Sequence, residues 1–407
     1  MSTVVADVDL GDPAFLADPY PTFAALRAEA PVVWHEPTGM WLAVSHRAVS
    51  DVLRSRSLGR LWTPRFPDVA MPAFELIHVH SLLENEPPVH TRLRRLIAGA
   101  FSRGHVERLR PAVAALAARL AEDVRAAGEG GDPVDLIAAY AEPLPVEVIA
   151  ELLGIPPADR HRLRPWSNAI VKMYEYGITD AQRDAAERAS AEFVAYLREL
   201  VARRRVEPGD DLLSSLLAES DAEGGRLTED ELVTTGTLLL NAGHEATVNV
   251  VGNGFSALLA RPDVLAEVRA RIDDDAFVAT AVEELIRFDS PLQLFERTAT
   301  ADVEIGGVVV EAGQKIAALL GAANRDPAVF AEPDRLDPTR DPNPQIGFGL
   351  GIHFCVGAPL ARIELQTSLR TLVSTFPDLA PTEVPPRRPE FVIRGVERLL
   401  VTTVRAS

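Results

Sequence analysis

Residues 345–362, QIGFGLGIHFCVGAPLAR, decide how the rest of the chain is interpreted. This stretch contains Cys355, the only cysteine among 407 residues. Within ten residues it follows the order F-G-x-G-x-H-x-C-x-G, with fixed positions at Phe348, Gly349, Gly351, His353, Cys355 and Gly357. Glycine tolerates a positive φ and lets the backbone approach a flat object closely. The pattern therefore predicts a tightly bent loop that presents its cysteine to a ligand.

The cysteine loop leads directly into a helix. Apolar residues recur at helical spacing after Gly357, and Pro377 ends the pattern. The free amides and the dipole of a helix N-terminus favour a thiolate, and a thiolate held in this way is an axial haem ligand in some proteins. The alternatives are a buried structural cysteine and a nucleophile with His353 as its base. The ten-residue pattern favours the haem ligand.

The stretch resembles the haem-binding loop of cytochrome P450 enzymes, the haem-thiolate monooxygenases. The resemblance implies a mainly helical fold with a smaller β region and a long central helix over the haem. It implies that Cys355 ligates the iron of haem b. The same loop would contribute further cofactor contacts from Phe348, Gly349, His353 and Gly357.

The expected organisation is a single domain over residues 1–407, because no internal repeat or linker indicates a second one. We expect β-rich parts near residues 30–45, 300–320 and 389–404. The helical core is expected at about residues 90–290 and 356–376.

Composition excludes several classes of protein. Hydrophobic residues make up 47% and charged residues 25%, which is typical of a soluble globular protein. No apolar run reaches the 18 or more residues of a membrane helix, and the acidic N-terminus lacks the basic region of a signal peptide. The net charge of −18 disfavours nucleic-acid binding. We therefore expect a cytoplasmic protein that binds neither membrane nor nucleic acid.

A long helix is predicted in the centre of the chain. Thr228 and Glu231 form a capping-box pattern, and helical spacing continues to Ala260. Such a helix spans roughly 48 Å at 1.5 Å per residue. Gly243 in its apolar middle lowers helix stability by about 0.8–1.0 kcal/mol relative to alanine. This glycine therefore indicates a close approach or a kink.

The middle of this helix resembles the family's A-G-x-[DE]-T element, with one departure. Ala246 stands where the family usually has threonine, and Thr247 follows it. In the family that hydroxyl helps to deliver protons during oxygen activation. Glu245 is then the best proton-relay candidate. Ordered water, a substrate hydroxyl and a shifted Thr247 remain open as replacements, and Gly243 completes the catalytic candidates.

A basic segment begins at His90. His90 and Arg94 share a helix face, which is compatible with a solvated surface, with carboxylate binding or with an acidic partner. By the resemblance, these two residues bind one haem propionate and Arg297 binds the other. An acidic ferredoxin-type protein would then dock on a basic face formed by Arg92, Arg95 and Arg103.

An E-x-x-R pattern lies upstream of the cysteine loop. Glu284 and Arg287 are three residues apart on a predicted helix, so they can form an ion pair. By the resemblance this pair supports folding around the haem and has no catalytic role. Arg335 is the predicted third partner, and Arg340 is the alternative.

Substrate contacts are predicted in several segments. The irregular residues 58–88 and the predicted lid at residues 168–180 would cover the substrate, although a surface loop and core packing are the ordinary alternatives. Candidates in these segments are Trp62, Phe66, Met71, Phe74, Ile77, Val171, Met173 and Tyr174. Candidates elsewhere are Leu239, Leu240, Ala242, Leu292, Leu294, Phe295 and Ile393.

The predicted activity is dioxygen activation followed by hydroxylation or epoxidation of an apolar small organic molecule. Electrons would come from a separate ferredoxin and reductase, because no glycine-rich flavin or nicotinamide module follows a strand. A polyketide, macrolide or terpenoid natural product is the predicted substrate class. A peroxide-dependent peroxygenase, suggested by Ala246, and a non-catalytic haem sensor or carrier are the alternatives.

Overall fold

The chain was analysed as a computed structural model that describes residues 4–64, 66–221 and 227–403, without the side chains of Arg103, Ser220 and Asp221. Its described residues form fifteen α-helices. In chain order they are α1 Pro13–Ala17, α2 Tyr20–Glu29, α3 His46–Arg54, α4 Pro72–Val79, α5 Val89–Ala98, α6 Arg103–Ala127, α7 Pro143–Leu152, α8 Leu163–Val171, α9 Asp180–Val206, α10 Leu212–Asp221, α11 Glu229–Leu259, α12 Pro262–Ala270, α13 Asp275–Phe288, α14 Leu320–Ala323 and α15 Ala358–Thr375. The mainly helical fold with a smaller β region is confirmed.

The strands of the described residues form three sheets. In chain order they are β1 Val5–Ala6, β2 Val32–His35, β3 Met40–Ala43, β4 Leu58–Gly59, β5 Val134–Asp135, β6 Leu294–Ala299, β7 Val303–Ile305, β8 Val308–Val310, β9 Lys315–Leu319, β10 Ala380–Pro381 and β11 Leu400–Thr402. The largest sheet has the order β1-β2-β3-β9-β6-β4. The others are β10-β11-β5 and the hairpin β7-β8.

Glycines form the turns of two β-hairpins. Gly39 has φ 61° between β2 and β3, which pair antiparallel. Gly306 and Gly307 have φ 58° and 86° between β7 and β8. Positive φ at both central residues gives a turn whose twist matches that of the flanking strands.

Two expectations about irregular and β-rich segments were wrong in part. Residues 58–88 contain α4 and a short helix at Leu82–Glu84, so this segment is more ordered than its prolines indicate. Near the C-terminus, Ile393 makes only an isolated bridge to Leu292 and belongs to no named strand. β11 pairs instead with β5 and β10. The pairing of such short strands depends on residues far away in the sequence, so the pattern within one strand does not predict it.

The described chain divides into two compact units. The first comprises Met1–Gly59, Leu109–Leu144 and Ala246–Ser407, and the second comprises Arg60–Arg108 and Pro145–Glu245. The boundary falls inside α11, after Glu245. The predicted single-domain organisation therefore stays a prediction.

The first unit positions the cysteine loop through its hydrophobic core. One buried cluster joins α6, the second half of α11, α13 and α15 through residues that include Val124, Phe255, Leu285 and Leu369. A second cluster packs α3 against the six-stranded sheet. Burial of apolar side chains is a main source of folding free energy, and here it holds α15 through Leu365, Leu369, Leu372 and Val373.

The second unit contains α4, α5 and α8–α10. Trp166 of α8 stacks on Phe193 of α9 with ring centroids 5.1 Å apart. The carboxylate of Glu187 on α9 accepts hydrogen bonds of 3.0 and 2.9 Å from the amides of Ala73 and Phe74 at the start of α4. A carboxylate at a helix N-terminus satisfies free amides and favours the helix dipole.

The long central helix has the predicted start. The amide of Thr228 donates to Glu231 at 2.9 Å, and the amide of Glu231 donates to the Thr228 hydroxyl at 3.2 Å. α11 then runs 31 residues. Of the helices described, neither α11 nor any other combines the length and apolar composition that crossing a bilayer requires.

Candidate active site

The cysteine loop is held by its glycines and its own backbone. Gly349 and Gly351 both have φ 71°, a conformation that glycine adopts without strain. A Cβ atom at Gly351 would overlap the carbonyl oxygen of Leu53 on α3. The amide of Cys355 donates to the carbonyl of Phe348 at 2.9 Å, which closes the loop. The loop geometry therefore requires glycine at these positions.

Cys355 lies just before α15, whose N-cap is Gly357. Its side chain is exposed and stands beside two exposed apolar residues of the loop, Ile352 and Phe354. The helix dipole favours negative charge at this end of α15, so the site stabilises a thiolate. A sulfur flanked by apolar side chains fits a large, flat, iron-containing cofactor.

Strand β6 places an arginine beside the loop. Phe295 lies 3.5 Å from the position that a Cβ of Gly349 would occupy. Arg297, two residues later on the same strand face, is 3% exposed and its Nη1 donates to the Glu296 carbonyl at 2.8 Å. A buried guanidinium next to a cysteine loop is suited to a carboxylate on the bound cofactor. His353 of the loop is half-buried.

The predicted substrate contacts of the first unit are partly brought together. Leu292 bridges to Ile393, so these two candidates are neighbours. Leu292 and Phe295 are half-buried, whereas Leu294 is 3% exposed and pairs with Leu319 in the sheet. The alternation along β6 places Leu294 and Phe295 on opposite faces.

The E-x-x-R ion pair forms as predicted, but its third partner was wrong. Arg287 and Glu284 are fully buried, and Arg287 Nε lies 2.7 Å from Glu284 Oε2. Arg340 provides the third charge at 3.0 Å from the same carboxylate oxygen. Arg335 contributes only its backbone carbonyl, to Arg287, and its exposed side chain pairs with Glu332. The Asp337 turn between the two arginines directs Arg340 inward.

The basic segment forms α5 of the second unit. His90 is buried and Arg94, one turn later, is half-buried. Arg92 donates to Glu231 at 3.0 Å, so its charge is compensated. Arg95 is exposed, whereas the side chain of Arg103 lies outside the described residues. Of the predicted basic face, Arg95 thus has the solvent-facing position, and no acidic side chain in the described part of the chain pairs with it.

One stripe of α11 is open along its middle. Between Glu231 and Phe255 nearly every residue is buried. Ala242 is exposed, and Leu238, Gly243 and Ala246 are half-buried. Residues at i, i+4 and i+8 share a helix face, so Leu238, Ala242 and Ala246 define the open stripe. Ala242 and Ala246, both candidates, thus lie on the accessible face.

The other sides of α11 approach neighbouring elements closely. A Cβ atom at Gly243 would lie 2.8 Å from Cδ1 of Ile149 on α7, which confirms the predicted close approach. Leu240 is fully buried and lies about 160° around the helix from Ala242, so it belongs to the packed side. Leu239 is buried about 60° from Ala242, at the edge of the stripe.

The acid and the hydroxyl of the helix have different neighbours. Glu245 is 6% exposed, and its Oε1 lies 3.9 Å from Nδ1 of His244. Thr247 lies about 140° from Ala242 around the helix and faces Glu364 of α15. Burial raises the pKa of Glu364 to about 8, and the Thr247 hydroxyl offsets part of that rise. Thr247 is therefore directed away from the open stripe.

The lid candidates of the second unit surround a buried histidine. Trp62 stacks on His78 with ring centroids 4.5 Å apart, and Phe74 lies 4.2 Å from the same ring. His78 Nδ1 donates to the Phe74 carbonyl at 2.7 Å, so Nε2 accepts from the Tyr174 hydroxyl at 3.0 Å. Burial lowers the pKa of His78. Three candidates are therefore packed around one residue.

The other lid candidates are distributed over core and surface. Ile77, Met71, Val171 and Met173 are buried, so packing accounts for their positions. Phe66 is half-buried under the guanidinium of Arg183, 5.3 Å from its ring centroid.

Comparison with known proteins decides the family. Residues 165–400 match the family model described as Cytochrome P450. The chain is 40% identical to cytochrome P450 monooxygenase PikC of Streptomyces venezuelae, over 95% of this chain and 91% of PikC. This chain belongs to the cytochrome P450 family.

Two further relatives extend the comparison. The 6-deoxyerythronolide B hydroxylase of Saccharopolyspora erythraea is 38% identical, over 97% of this chain and 98% of the hydroxylase. The solved structure of the bacillaene polyketide synthase cytochrome P450 PksS of Bacillus subtilis 168 matches with TM-score 0.86 and 32% identity, over 98% and 100% of the two chains. This cytochrome P450 is thus an oxidoreductase of the monooxygenase class that uses haem, dioxygen, a redox partner and an organic substrate.

Several site residues of this cytochrome P450 were missed in the sequence. Glu364 follows the loop on the buried face of α15, but its neighbour Thr247 is more than a hundred residues away. His78 carries no local pattern at all. Asn241 had a visible signal, since it is a polar residue after three leucines in an apolar helix.

Proposed function

We propose that this cytochrome P450 inserts one oxygen atom into a polyketide, macrolide or terpenoid natural product, by hydroxylation or epoxidation. Hydroxylation consumes one dioxygen, two electrons and two protons for each hydroxyl and each water formed. The observation that carries the proposal is Cys355, exposed in a glycine-bent loop at the start of α15. The proposed cofactor is haem b, which supplies the oxygen-activating chemistry when bound.

The proposed haem contacts come from the cysteine loop, from strand β6 and from helix α5. Cys355 ligates the iron, and Arg297 binds a propionate, because its guanidinium is buried beside the loop through Phe295. His90 and Arg94 of α5 bind the other propionate, for which one helical turn is a suitable spacing. Phe348, Gly349, His353 and Gly357 complete the loop contacts.

Proton delivery is proposed to depend on Glu245, because it is a buried carboxylate about 60° around α11 from exposed Ala242. Ala246 places a methyl group on the open stripe, so the residue supplies no proton there. Thr247 faces Glu364, which disfavours a direct role at the stripe. Ordered water or a hydroxyl of the substrate is therefore the favoured replacement.

The proposed substrate class is based on the apolar residues of the open stripe and on the substrates named for two relatives. Leu238, Ala242 and Ala246 give the open stripe an apolar character, which suits an apolar ring or chain. Leu292, Phe295 and Ile393 are proposed to contact the same class of molecule. The hydroxylase of 6-deoxyerythronolide B and the P450 of a polyketide synthase support a polyketide.

Electrons are proposed to come from an acidic ferredoxin and its reductase. The exposed Arg95 on α5 supports docking by charge, whereas compensation by Glu231 reduces the contribution of Arg92. Arg103 stays part of the proposed face. Neutral substitutions of arginines on this face should slow electron transfer from the ferredoxin. The effect should be largest at low salt, because salt screens the attraction between the two proteins.

The test is turnover of cyclododecanol by haem-loaded protein with ferredoxin, reductase and NADPH under ¹⁸O₂. The expected product carries one labelled oxygen in addition to the original hydroxyl. A parallel reaction with hydrogen peroxide and no electron donor tests the peroxygenase alternative, which Ala246 favours. Faster product formation with peroxide than with the ferredoxin system would replace the proposal by that alternative.

A further inference from the structure

A buried carboxylate holds two arginines at the end of α13. Asp289 is the C-cap of this helix and is 5% exposed. Its Oδ1 accepts from Nε of Arg394 at 2.7 Å, and its Oδ2 accepts from Nη2 of Arg387 at 2.6 Å. Burial alone would raise the pKa of Asp289, but the two guanidinium groups hold that pKa well below its ordinary value. The carboxylate is therefore ionised and paired.

Asn253 of α11 joins these charged groups to the central helix. It is 1% exposed, and its Nδ2 donates to the backbone carbonyls of Asp289 and Arg394 at 3.3 and 3.1 Å. Its Oδ1 accepts from Nη1 of Arg387 at 2.8 Å. The side-chain amide thus uses both of its hydrogens and its oxygen in hydrogen bonds. We call Asn253, Asp289, Arg387 and Arg394 the α11 clamp.

The clamp lies directly behind two of the proposed substrate contacts. Leu292 and Ile393 form an isolated antiparallel bridge. The amide of Arg394 donates to the Pro291 carbonyl at 2.8 Å, which closes one side of this bridge. Leu292 follows Asp289 closely in the chain, and Ile393 directly precedes Arg394. The two contacts are therefore held side by side by segments that the clamp ties together.

The clamp and the open stripe are on the same face of α11. Ala246 and Asn253 are separated by about 20° around the helix and by about 10.5 Å along its axis. Because Asn253 contacts the carbonyls of Asp289 and Arg394, that face of the helix is turned toward both segments. All of these residues belong to the first compact unit. The clamp therefore sets the distance between the two bridged side chains and the stripe at Ala246.

We propose that Asn253 is a positioning residue that, without touching the substrate, holds Leu292 and Ile393 at a fixed distance from α11 and thereby determines which substrate carbon is oxidised. This inference rests on the proposed monooxygenase function and adds a determinant of its selectivity. The physical reason is geometric, because misplacement of the reacting groups by about 1 Å can lower a rate about a hundredfold.

The experiment maps the ring positions at which haem-loaded protein hydroxylates cyclododecanol with ferredoxin, reductase and NADPH. The variants are Asn253→Ala, which removes three hydrogen bonds, and Arg387→Met, which replaces a side chain that is 25% exposed. The matched control is Tyr20→Phe, which removes a hydrogen bond of 2.8 Å to the Asp289 carboxylate but no link to α11. Hydrogen–deuterium exchange of residues 289–294 and 391–396 is measured in the same proteins.

The wild-type protein and Tyr20→Phe should form the same main product in the same share. In Asn253→Ala and Arg387→Met that share should fall, and product per NADPH should fall about tenfold, because the substrate is no longer held in one position. Both segments should exchange faster in these two variants and at the wild-type rate in the control. A purely structural role of Asn253 would lower stability and leave the product positions unchanged.

Each other outcome counts against the inference. Unchanged product positions in both clamp variants overturn it, even if exchange becomes faster, and so does an equal change in Tyr20→Phe. A wild-type product spread evenly over the ring overturns it as well, because no selectivity then exists. If the wild-type protein forms no product, the proposed function fails and the inference fails with it. The carbonyl spectrum of each variant shows whether Cys355 still holds the haem, so loss of the cofactor is distinguished from loss of selectivity.

Discussion

The loop around Cys355 and the middle of α11 are stabilised in different ways. The loop depends on positive φ at Gly349 and Gly351 and on a hydrogen bond from Cys355 to Phe348. α11 is an ordinary helix, and each of its side chains acquires its role from the element that packs against it. Substitution in the loop therefore affects cofactor binding as a whole, whereas substitution in α11 changes one step of the reaction.

The two regions determine different properties: the loop determines cofactor binding, and α11 determines the reaction that follows. The loop shared with the family determines that haem is bound, but it leaves the substrate and the proton route undefined. In α11, Ala246 lies on the open stripe, whereas Thr247 faces Glu364. The distinctive features of this enzyme should therefore arise in α11.

The largest effect is expected from Cys355→Ser. A hydroxyl is a poor substitute for a thiolate ligand, so haem retention and ferredoxin-driven turnover should both be lost. Turnover and haem content of the purified variant measure this. Val384→Ala, at an exposed apolar residue outside the loop, is the control and should retain both. Turnover by Cys355→Ser comparable to that of the control would mean that the ligand lies elsewhere.

The next largest effect is expected from Arg287→Leu. It leaves the fully buried carboxylate of Glu284 with Arg340 as its remaining cation, and breaking such a pair costs about 3–5 kcal/mol. Denaturant unfolding measures the loss of stability. Arg335→Ala should change stability by less than about 0.5 kcal/mol, because its side chain is on the surface. Equal losses in both variants would restore Arg335 as the third partner.

A smaller effect is expected from Ala246→Thr, which adds a hydroxyl to the open stripe. The wild-type enzyme should form more product per NADPH from cyclododecanol than from cyclododecane, since the alcohol supplies a hydroxyl of its own. The variant should raise the yield from cyclododecane and reduce the difference between the two rings. If the two rings give equal yields already in the wild-type enzyme, the substrate hydroxyl has no part in proton delivery.

The last prediction concerns the pH dependence of stability. The folded-state pKa of Glu364 is raised to about 8, so the folded protein binds the extra proton between the ordinary carboxyl pKa and about pH 8. Stability is therefore fully present at low pH and falls as pH rises through this window. Relative to Glu364→Gln, the wild-type protein should lose about 1.4 kcal/mol per pH unit there. Parallel pH profiles of the two proteins would show that Glu364 ionises normally.

The fold class, the cysteine loop and the start of the central helix could be predicted because their signals are contiguous. A capping box, a glycine turn or a ten-residue motif acts within a few residues of its own position. The third charge of the ion pair could not be chosen, because Arg335 and Arg340 differ only in how the turn at Asp337 directs them. Sequence spacing alone does not contain that turn geometry.

The same limit applies to the central helix. Its periodicity predicts which residues share a face, but it does not say which face is open. Leu240 is among the predicted substrate contacts, but its side chain is fully buried on the packed side. The sequence does not predict the role of Glu364, because its partner, Thr247, belongs to another helix. The open stripe emerges only when the burial of every residue along α11 is compared.

The most direct test is the carbonyl spectrum of the reduced, haem-loaded wild-type protein. Ligation by the Cys355 thiolate predicts a strongly red-shifted Soret band after carbon monoxide is added. The band should be absent from Cys355→Ser and present in Val384→Ala. A carbonyl band at the ordinary position in freshly reduced wild-type protein would contradict the assignment of Cys355 as the iron ligand.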